Sequence, residues 1–208
     1  MSHSLHIYLA QVNPTVGDLK KNTTLILQTL AKAPSDSALV VFPEMVLTGY
    51  PLEDLVLKPS FMDDVKQHVD YLVEQSRSQR AAIVLTTPWA DGGKVYNALH
   101  LIHDGHILAT RYKHKLPNYG VFDEARVFHP GGLPDPVEFL DHKLGILICE
   151  DMWSTDVSKH LAKQGAEILI VTNGSPYDCR KTQARFDLAA KRVEETGLPL
   201  IYTNLVGG

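Results

Sequence analysis

The alternation of two kinds of apolar pattern is the feature of this sequence that most limits its fold. Short runs rich in Val, Ile and Leu alternate with longer stretches whose apolar residues recur at helical spacing. Strands are predicted at residues 5–12, 37–42, 81–88, 95–102, 106–113, 143–149, 167–173 and 199–204. Helices are predicted near residues 17–32, 59–79, 155–164 and 179–196. The order β-α-β-α-β, hairpin-joined strands, then β-α-β-α-β predicts a mixed sheet with helices on its faces.

Turn residues separate these elements. Pro, Gly, Asn and Asp predict loops at residues 13–17, 43–59, 116–136 and 174–177. A length of 208 residues is enough for one α/β domain with a large core. The sequence leaves its last predicted strand and stops in two glycines, so we expect the domain to be truncated.

Composition excludes several classes of protein. Hydrophobic residues at 44% and charged residues at 21% are typical of a globular protein in solution. A formal net charge of -4 with dispersed Lys and Arg argues against nucleic acid as a partner. The N-terminus has no signal-peptide pattern, and no apolar run approaches the ~20 residues of a membrane span. We therefore expect a cytoplasmic protein without a membrane partner.

Histidines are numerous enough, at ten, to raise the question of a metal site. The closest group is His100, His103 and His106. Between the last two, Asp104-Gly105 separates two apolar runs, which predicts a hairpin turn. Because a turn directs the rings apart, no metal site is predicted.

The chain has two cysteines, Cys149 and Cys179, in very different settings, so a disulfide framework is not expected. Cys179 lies at the predicted start of a helix and is a rival nucleophile only by itself, since no motif with a general base accompanies it.

Cys149 ends an apolar strand at residues 144–148 and is followed at once by Glu150 and Asp151. Ligands of open α/β sheets bind at the carboxyl ends of strands, which makes Cys149 a candidate nucleophile. A helix predicted to begin near Ser154 would favour the thiolate by lowering the thiol pKa. The alternative is a structural core cysteine before a turn.

A nucleophilic thiol needs a base and a group that stabilises the oxyanion. Glu44 follows an apolar strand and Pro43, among apolar neighbours, and is a candidate base. Lys113 and Lys115 end another strand on the same face, so spacing does not choose between them. Taken singly, each motif has another interpretation: Glu44 as an exposed loop residue, and the two lysines as a solvated strand end.

Three motifs together resemble the Glu-Lys-Cys triad of the nitrilase superfamily, and they occur in its order: Phe42-Pro-Glu44, Lys113-His-Lys-Leu-Pro117 and Cys149-Glu-Asp-Met-Trp153. In that superfamily the lysine stands three residues before Leu-Pro, which selects Lys113. Longer segments resemble the amidotransferase domain of bacterial glutamine-dependent NAD⁺ synthetases, and the likeness extends over essentially the whole chain: Ala10–Asp18, Glu44–Leu55, Leu116–Phe128 and Tyr202–Gly208.

This resemblance implies an α/β fold of the nitrilase-like αββα sandwich type with mixed β-sheet, apparently truncated. Residues 1–208 are expected to form one carbon–nitrogen hydrolase (glutaminase) domain, without its C-terminal part and without an ATP-dependent synthetase domain. The resemblance also implies site roles: Glu44, Lys113 and Cys149 as catalytic residues, Tyr119, Glu150 and Ser175 as substrate-binding residues, and Glu124 as a support for Lys113. It implies no metal or cofactor in this chain, and ATP with Mg²⁺ in the synthetase domain.

The function that the resemblance implies is hydrolysis of glutamine to glutamate and ammonia through a cysteine thioester. The ammonia would serve ATP-dependent amidation of nicotinic acid adenine dinucleotide, with the synthetase domain as partner and a homo-oligomer as the assembled state. Two alternatives remain: an amidase of the nitrilase superfamily that acts on another amide, and a catalytically inactive interaction module.

Overall fold

The computed structural model describes residues 4–176, 178 and 181–206. Their strands form two sheets. The first sheet has five strands, in the order β1 (Ile7–Leu9), β2 (Leu39–Val41), β3 (Ala82–Asp91), β4 (Lys94–His103) and β5 (His106–Tyr112). The second has four strands, in the order β6 (Val137–Phe139), β7 (His142–Ile148), β8 (Ile168–Asn173) and β9 (Leu200–Asn204).

Each sheet contains both parallel and antiparallel pairs. In the first sheet β1, β2 and β3 are parallel, whereas β4 and β5 continue as antiparallel hairpins. In the second, β6 is antiparallel to β7, and β7, β8 and β9 are parallel. Helices connect the parallel strands, as crossovers require: α1 (Leu19–Lys32), α2 (Pro59–Gln75), α4 (Thr155–Lys163) and α5 (Lys181–Thr196).

Shorter elements lie between the main helices and strands, and two of them, at Glu53–Leu57 and Glu124–Val127, fall in segments that the sequence predicted as loops. They are 3-10 turns at Glu53–Leu57, Ser76–Ser78 and Cys149–Met152 and the single-turn helix α3 (Glu124–Val127). The prediction missed β6 because three residues are too few for an alternating pattern to be read. The Asp104-Gly105 hairpin is confirmed: both residues have positive φ, 46° and 75°, as a tight β-turn of this kind requires.

Three buried apolar clusters hold the layers together. Apolar side chains of the two sheets, such as Val41, Val84 and Leu99 from the first and Ile146 and Ile148 from the second, meet in one buried cluster. Helices α1 and α2 cover the other face of the first sheet, and α4 and α5 cover the other face of the second. The αββα sandwich of the α/β class is therefore confirmed.

The sandwich brings several strand ends to one place. Glu44 follows β2, Lys113 follows β5 and Cys149 follows β7, as the sequence predicted. Thr86 on β3 fixes the end of β2, because its hydroxyl donates a hydrogen bond of 2.7 Å to the carbonyl of Pro43. Within the described part of the chain, no helix has the length and apolar character needed to cross a membrane.

Candidate active site

Glu44, Lys113 and Cys149 converge between the two sheets. The Nζ atom of Lys113 lies 2.8 Å from Oε1 of Glu44, and both side chains are fully buried. The thiol of Cys149 is also buried, and both Glu44 and Lys113 act on its charge. A backbone hydrogen bond of 3.3 Å from Glu44 N–H to the carbonyl of Asn173 ties the end of β2 to the end of β8.

Cys149 has a strained backbone. Its φ of 45° lies in the left-handed region, which costs a non-glycine residue about 1–3 kcal/mol. Asp151 supports this conformation, because its Oδ2 accepts a hydrogen bond from the N–H of Ile148 at 3.2 Å. Its Oδ1 accepts the N–H groups of His114 and Lys115 at 3.0 and 2.7 Å. One buried carboxyl group thus links the turn at Cys149–Met152, here called the cysteine turn, to the segment that carries Lys113.

The pKa of Cys149 corrects an expectation from the sequence. Burial raises the pKa of the thiol well above its usual value and Glu44 raises it further, whereas Lys113 and the N–H of Gly174 lower it by less. Helix α4 begins at Thr155, next to the predicted Ser154, but the predicted lowering of the thiol pKa is wrong because burial and Glu44 outweigh every group that favours the thiolate. The resting thiol therefore keeps its proton and needs a base.

Lys113 lies between two carboxylates. Burial opposes its charge, but Glu44 and Glu124 outweigh this effect and raise the pKa of Lys113, so the side chain stays protonated. The contact with Glu124 Oε2, at 2.8 Å, is an ion pair rather than a well-aligned hydrogen bond. Burial raises the pKa of Glu124 to about 7, with Lys113 opposing and Glu44 adding to the shift.

Asn97 and Tyr50 complete this buried group and were not singled out from the sequence. The Nδ2 atom of Asn97 donates hydrogen bonds to Oε1 of Glu44 at 2.8 Å and to Oε1 of Glu124 at 3.2 Å. The hydroxyl of Tyr50 also favours the ionised form of Glu124 and lowers its pKa. The signal available for Asn97 was a lone amide within the apolar run of β4, because a buried amide needs polar partners.

One oxygen of Glu44 remains free. Oε2 of Glu44 is buried and has no hydrogen-bond partner among the described residues. It lies against the backbone of Gly174, where an added Cβ atom would come within 2.9 Å of it. The end of β8 therefore closes over the carboxylate on the side of the thiol.

The predicted substrate-binding residues lie near this centre but not all in one place. Tyr119 donates its hydroxyl hydrogen bond to Oε2 of Glu150 at 2.9 Å. Both side chains, with Lys115 and Trp153, line an open pocket of about 300 Å³ beside the cysteine turn. Ser175 is not among the described residues that line it; the carbonyl of Ser175 accepts a hydrogen bond of 3.3 Å from the side chain of Asn204.

Cys179 and the histidines were the remaining groups that the sequence analysis considered. Cys179 lies outside the described residues. Among residues 4–176, 178 and 181–206, no group of three His, Cys, Asp or Glu side chains is placed to hold a metal ion. His100 is buried, and its Nδ1 atom lies 2.9 Å from the hydroxyl of Thr110.

The sequence matches the family model for carbon-nitrogen hydrolase over residues 7–208. It is 43% identical over 209 residues to a glutamine-dependent NAD(+) synthetase of Rhodobacter capsulatus, covering 100% of this chain and 38% of the relative. It is 38% identical over 205 residues to the synthetase of that name from Aquifex aeolicus, covering 98% of this chain and 36% of the relative. The chain thus spans less than two fifths of the length of these relatives.

Solved structures also resemble this chain over nearly its whole length. The glutamine-dependent NAD+ synthetase of Acinetobacter baumannii, in complex with adenosine diphosphate, superimposes with a TM-score of 0.92 and 35% identity, covering 97% of this chain and 38% of that one. A nitrilase-superfamily amidase of Nesterenkonia superimposes with a TM-score of 0.84 at 23% identity, covering 98% of this chain and 77% of that one, and this second likeness concerns the fold alone.

Proposed function

The chain belongs to the carbon–nitrogen hydrolase family, and on that premise we propose that it hydrolyses the side-chain amide of glutamine to glutamate and ammonia. The observation that carries this proposal is the buried Glu44–Lys113 ion pair beside a protonated Cys149 at a strained strand end. The choice of glutamine rests on the similarity to glutamine-dependent NAD(+) synthetases.

In the first half of the proposed reaction, Glu44 accepts the proton of Cys149 and the sulfur attacks the amide carbon of glutamine. The oxyanion of the tetrahedral intermediate is stabilised by Lys113, whose charge the neighbouring carboxylates maintain, and by a backbone N–H near residue 150. Glu44 then returns the proton to the leaving nitrogen, so ammonia departs and a γ-glutamyl thioester remains.

In the second half, water hydrolyses the thioester. Glu44, again unprotonated, accepts a proton from the water as its oxygen attacks the thioester carbon. Collapse of the second tetrahedral intermediate breaks the carbon–sulfur bond and releases glutamate, and the sulfur regains a proton. Both proton-accepting steps need an anionic carboxylate shielded from water, which fits the full burial of Glu44 next to Lys113.

Recognition of the amino-acid end of glutamine is assigned to Tyr119, Glu150 and Ser175. The support is the pocket that Tyr119 and Glu150 share at the cysteine turn, where a carboxylate suits an ammonium group. Ser175 is kept as a candidate because it directly follows Gly174, which contacts Glu44. Glu124 is assigned the support of Lys113 through their ion pair.

The proposed fate of the ammonia is ATP-dependent amidation of nicotinic acid adenine dinucleotide to NAD⁺, in the cytoplasm. This step would take place on a synthetase domain that uses ATP and Mg²⁺, and this chain would need no cofactor of its own. The support is the name of the relatives and their greater length.

The first test is ammonia release from glutamine by the purified chain. We expect release by the wild type, loss of release in Cys149→Ala because no nucleophile remains, and unchanged release in the control Cys179→Ser. Glutamine should be preferred over asparagine and over short aliphatic amides. Faster turnover of another amide would instead support an amidase with a different substrate.

A catalytically inactive interaction module is tested by thiol chemistry. If Cys149 is a competent nucleophile, iodoacetamide should alkylate it in a reaction that needs Glu44, and Glu44→Gln should slow that reaction. Equal and slow alkylation of Cys149 and Cys179, together with no release of ammonia from any amide, would favour the inactive module.

A further inference from the structure

Four buried side chains form a closed ring of polar contacts, here called the carboxylate ring: Glu44, Asn97, Lys113 and Glu124. Lys113 and Asn97 each contact both carboxylates. All four side chains have an exposed fraction of 3% or less, so water does not compete for these contacts. The backbone keeps the two donors side by side, because Lys113 N–H donates a 2.8 Å hydrogen bond to the carbonyl of Asn97.

The two carboxylates of the ring have different arrangements of contacts. On Glu44 both donors converge on Oε1, with Lys113 Nζ and Asn97 Nδ2 each at 2.8 Å. On Glu124 they are divided, with Asn97 at Oε1 and Lys113 at Oε2. Glu44 therefore keeps one free oxygen, Oε2, next to Gly174, whose N–H lies near enough to Cys149 to lower the pKa of its thiol.

We propose that Asn97 is a positioning residue that, with Lys113, anchors Oε1 of Glu44 and so leaves Oε2 as the atom that exchanges the proton with Cys149. In that step the S–H bond breaks, its electron pair stays on the sulfur, and the proton forms an O–H bond to Oε2. The substrate in this scheme is the one proposed above, but the assignment of Asn97 and Oε2 does not depend on it.

The chemistry of Asn97 points to a role as donor. Its amide group has two N–H bonds and uses them on two different carboxylates. Its Oδ1 atom is buried without a partner among the described residues, a cost that an apolar side chain would avoid. Two anchors on one oxygen restrict rotation of the Glu44 carboxylate, whereas Lys113 alone, a flexible point charge, would not.

The test measures alkylation of Cys149 by iodoacetamide as a function of pH, in a Cys179→Ser background so that a single thiol reacts. The wild-type rate should fall as the pH is lowered, because the base must be anionic to accept the thiol proton, and this fall is the acidic limb of the profile. In Asn97→Ala the acidic limb should move to higher pH by about one unit, because the anionic base loses a hydrogen bond that favoured it. With glutamine as substrate, kcat should fall about tenfold or more while KM changes less than about twofold.

The matched control is Asn22→Ala. Asn22 is also a fully buried asparagine whose Nδ2 atom donates two hydrogen bonds, to the carbonyls of Thr15 and Leu47, outside the carboxylate ring. Its loss should lower the melting temperature as much as Asn97→Ala without moving the acidic limb. A limb and a kcat that stay at wild-type values in folded Asn97→Ala would overturn the inference.

Two further measurements keep the inference testable if Asn97→Ala does not fold. Asn97→Asp retains the volume, removes both donors and adds a third carboxylate, so its acidic limb should move at least as far. In the wild type, the side-chain amide protons of Asn97 should be protected from exchange and should shift in NMR spectra with the midpoint of the acidic limb. Fast exchange, or no shift at that midpoint, would contradict the assignment.

The outcomes separate this inference from the proposed function. If the wild type releases no ammonia from glutamine but the acidic limb of alkylation moves in Asn97→Ala, the substrate assignment fails and the role of Asn97 stands. If glutamine is hydrolysed and Asn97→Ala behaves as Asn22→Ala does, the proposed function stands and the role of Asn97 fails.

Discussion

At the scale of single residues, Gly174 is a position where the backbone lies close to the carboxylate of Glu44. A Cβ atom there would lie 2.9 Å from Oε2 and 3.3 Å from Cβ of Glu44. Glu44 cannot turn aside at low cost, because Lys113 and Asn97 hold its other oxygen. The absence of a side chain at Gly174 is therefore a requirement of the site.

We predict that Gly174→Ala lowers the rate of ammonia release at least about tenfold, because a small misplacement of a catalytic group is costly. The protein should still fold, so circular dichroism should be unchanged. Gly132→Ala is the control, since a Cβ atom at Gly132 would meet nothing within 4 Å. Equal rates in the two variants would show that the contact with Glu44 does not matter.

At the scale of secondary-structure elements, Asp151 connects two loops that carry the candidate catalytic groups. It sits in the 3-10 turn after β7 and accepts three backbone N–H groups, two of them from the segment that follows β5. Burial raises the pKa of Asp151 to about 6, and the backbone hydrogen bonds limit that shift. The carboxylate is therefore mostly ionised at neutral pH. It accepts hydrogen bonds from the turn after β7 and from the segment after β5, and so holds the two together.

We predict that Asp151→Ala lowers the free energy of unfolding by about 2–4 kcal/mol, because buried N–H groups lose their acceptor. Urea denaturation followed by circular dichroism measures this change. Cys149 should also be alkylated more slowly, since its turn is no longer tied to the Lys113 segment. The control Asp156→Ala, at a half-exposed ion pair with Lys115, should change stability by less than about 1 kcal/mol. Equal losses would argue against a linking role for Asp151.

At the scale of the whole molecule, the core contains a neutral histidine. His100 on β4 is buried, its ring packs edge-on against Trp89 at 4.7 Å, and its Nε2 atom has no partner among the described residues. Burial lowers the pKa of His100 from 6.5 to about 4. The unfolded chain therefore binds a proton at this side chain at a higher pH than the folded chain does.

The sign of the resulting pH dependence follows from this difference. The stability linked to His100 is present in full above pH 6.5 and is lost as the pH falls toward about 4. The loss over that range should be on the order of 3 kcal/mol. Urea denaturation at pH 7 and pH 5 should show about 2 kcal/mol of this loss, and His100→Gln should flatten the slope between them. An unchanged slope in the variant would assign the acid sensitivity to other groups.

The assembly of the molecule stays a prediction. A homo-oligomer was expected from the sequence, and the outer helix α5 exposes Phe186 and Val193, with exposed fractions of 69% and 37%. Two apolar side chains seven residues apart lie on one face of a helix. They offer a contact surface of the kind a second copy could cover.

The sequence by itself determined most of the elements and predicted the candidate catalytic groups. Apolar runs and helical periodicity located the strands and helices because both patterns are local. Glu44, Lys113 and Cys149 were predicted because each ends a strand in a recognisable motif, and the αββα arrangement came from the resemblance that those motifs carry. Periodicity alone gave one mixed sheet, since it does not record which strands pair or which face covers which.

Only the tertiary structure decided the contacts that control these groups. Asn97 lies inside an apolar strand and is paired with Glu44 across 53 positions of the chain, a distance at which sequence carries no pairing signal. The pKa of Cys149 rises rather than falls because burial and Glu44 outweigh Lys113 and the N–H of Gly174. The burial of a site and the charges around it depend on every element that packs against it. They are therefore set only when the two sheets lie face to face.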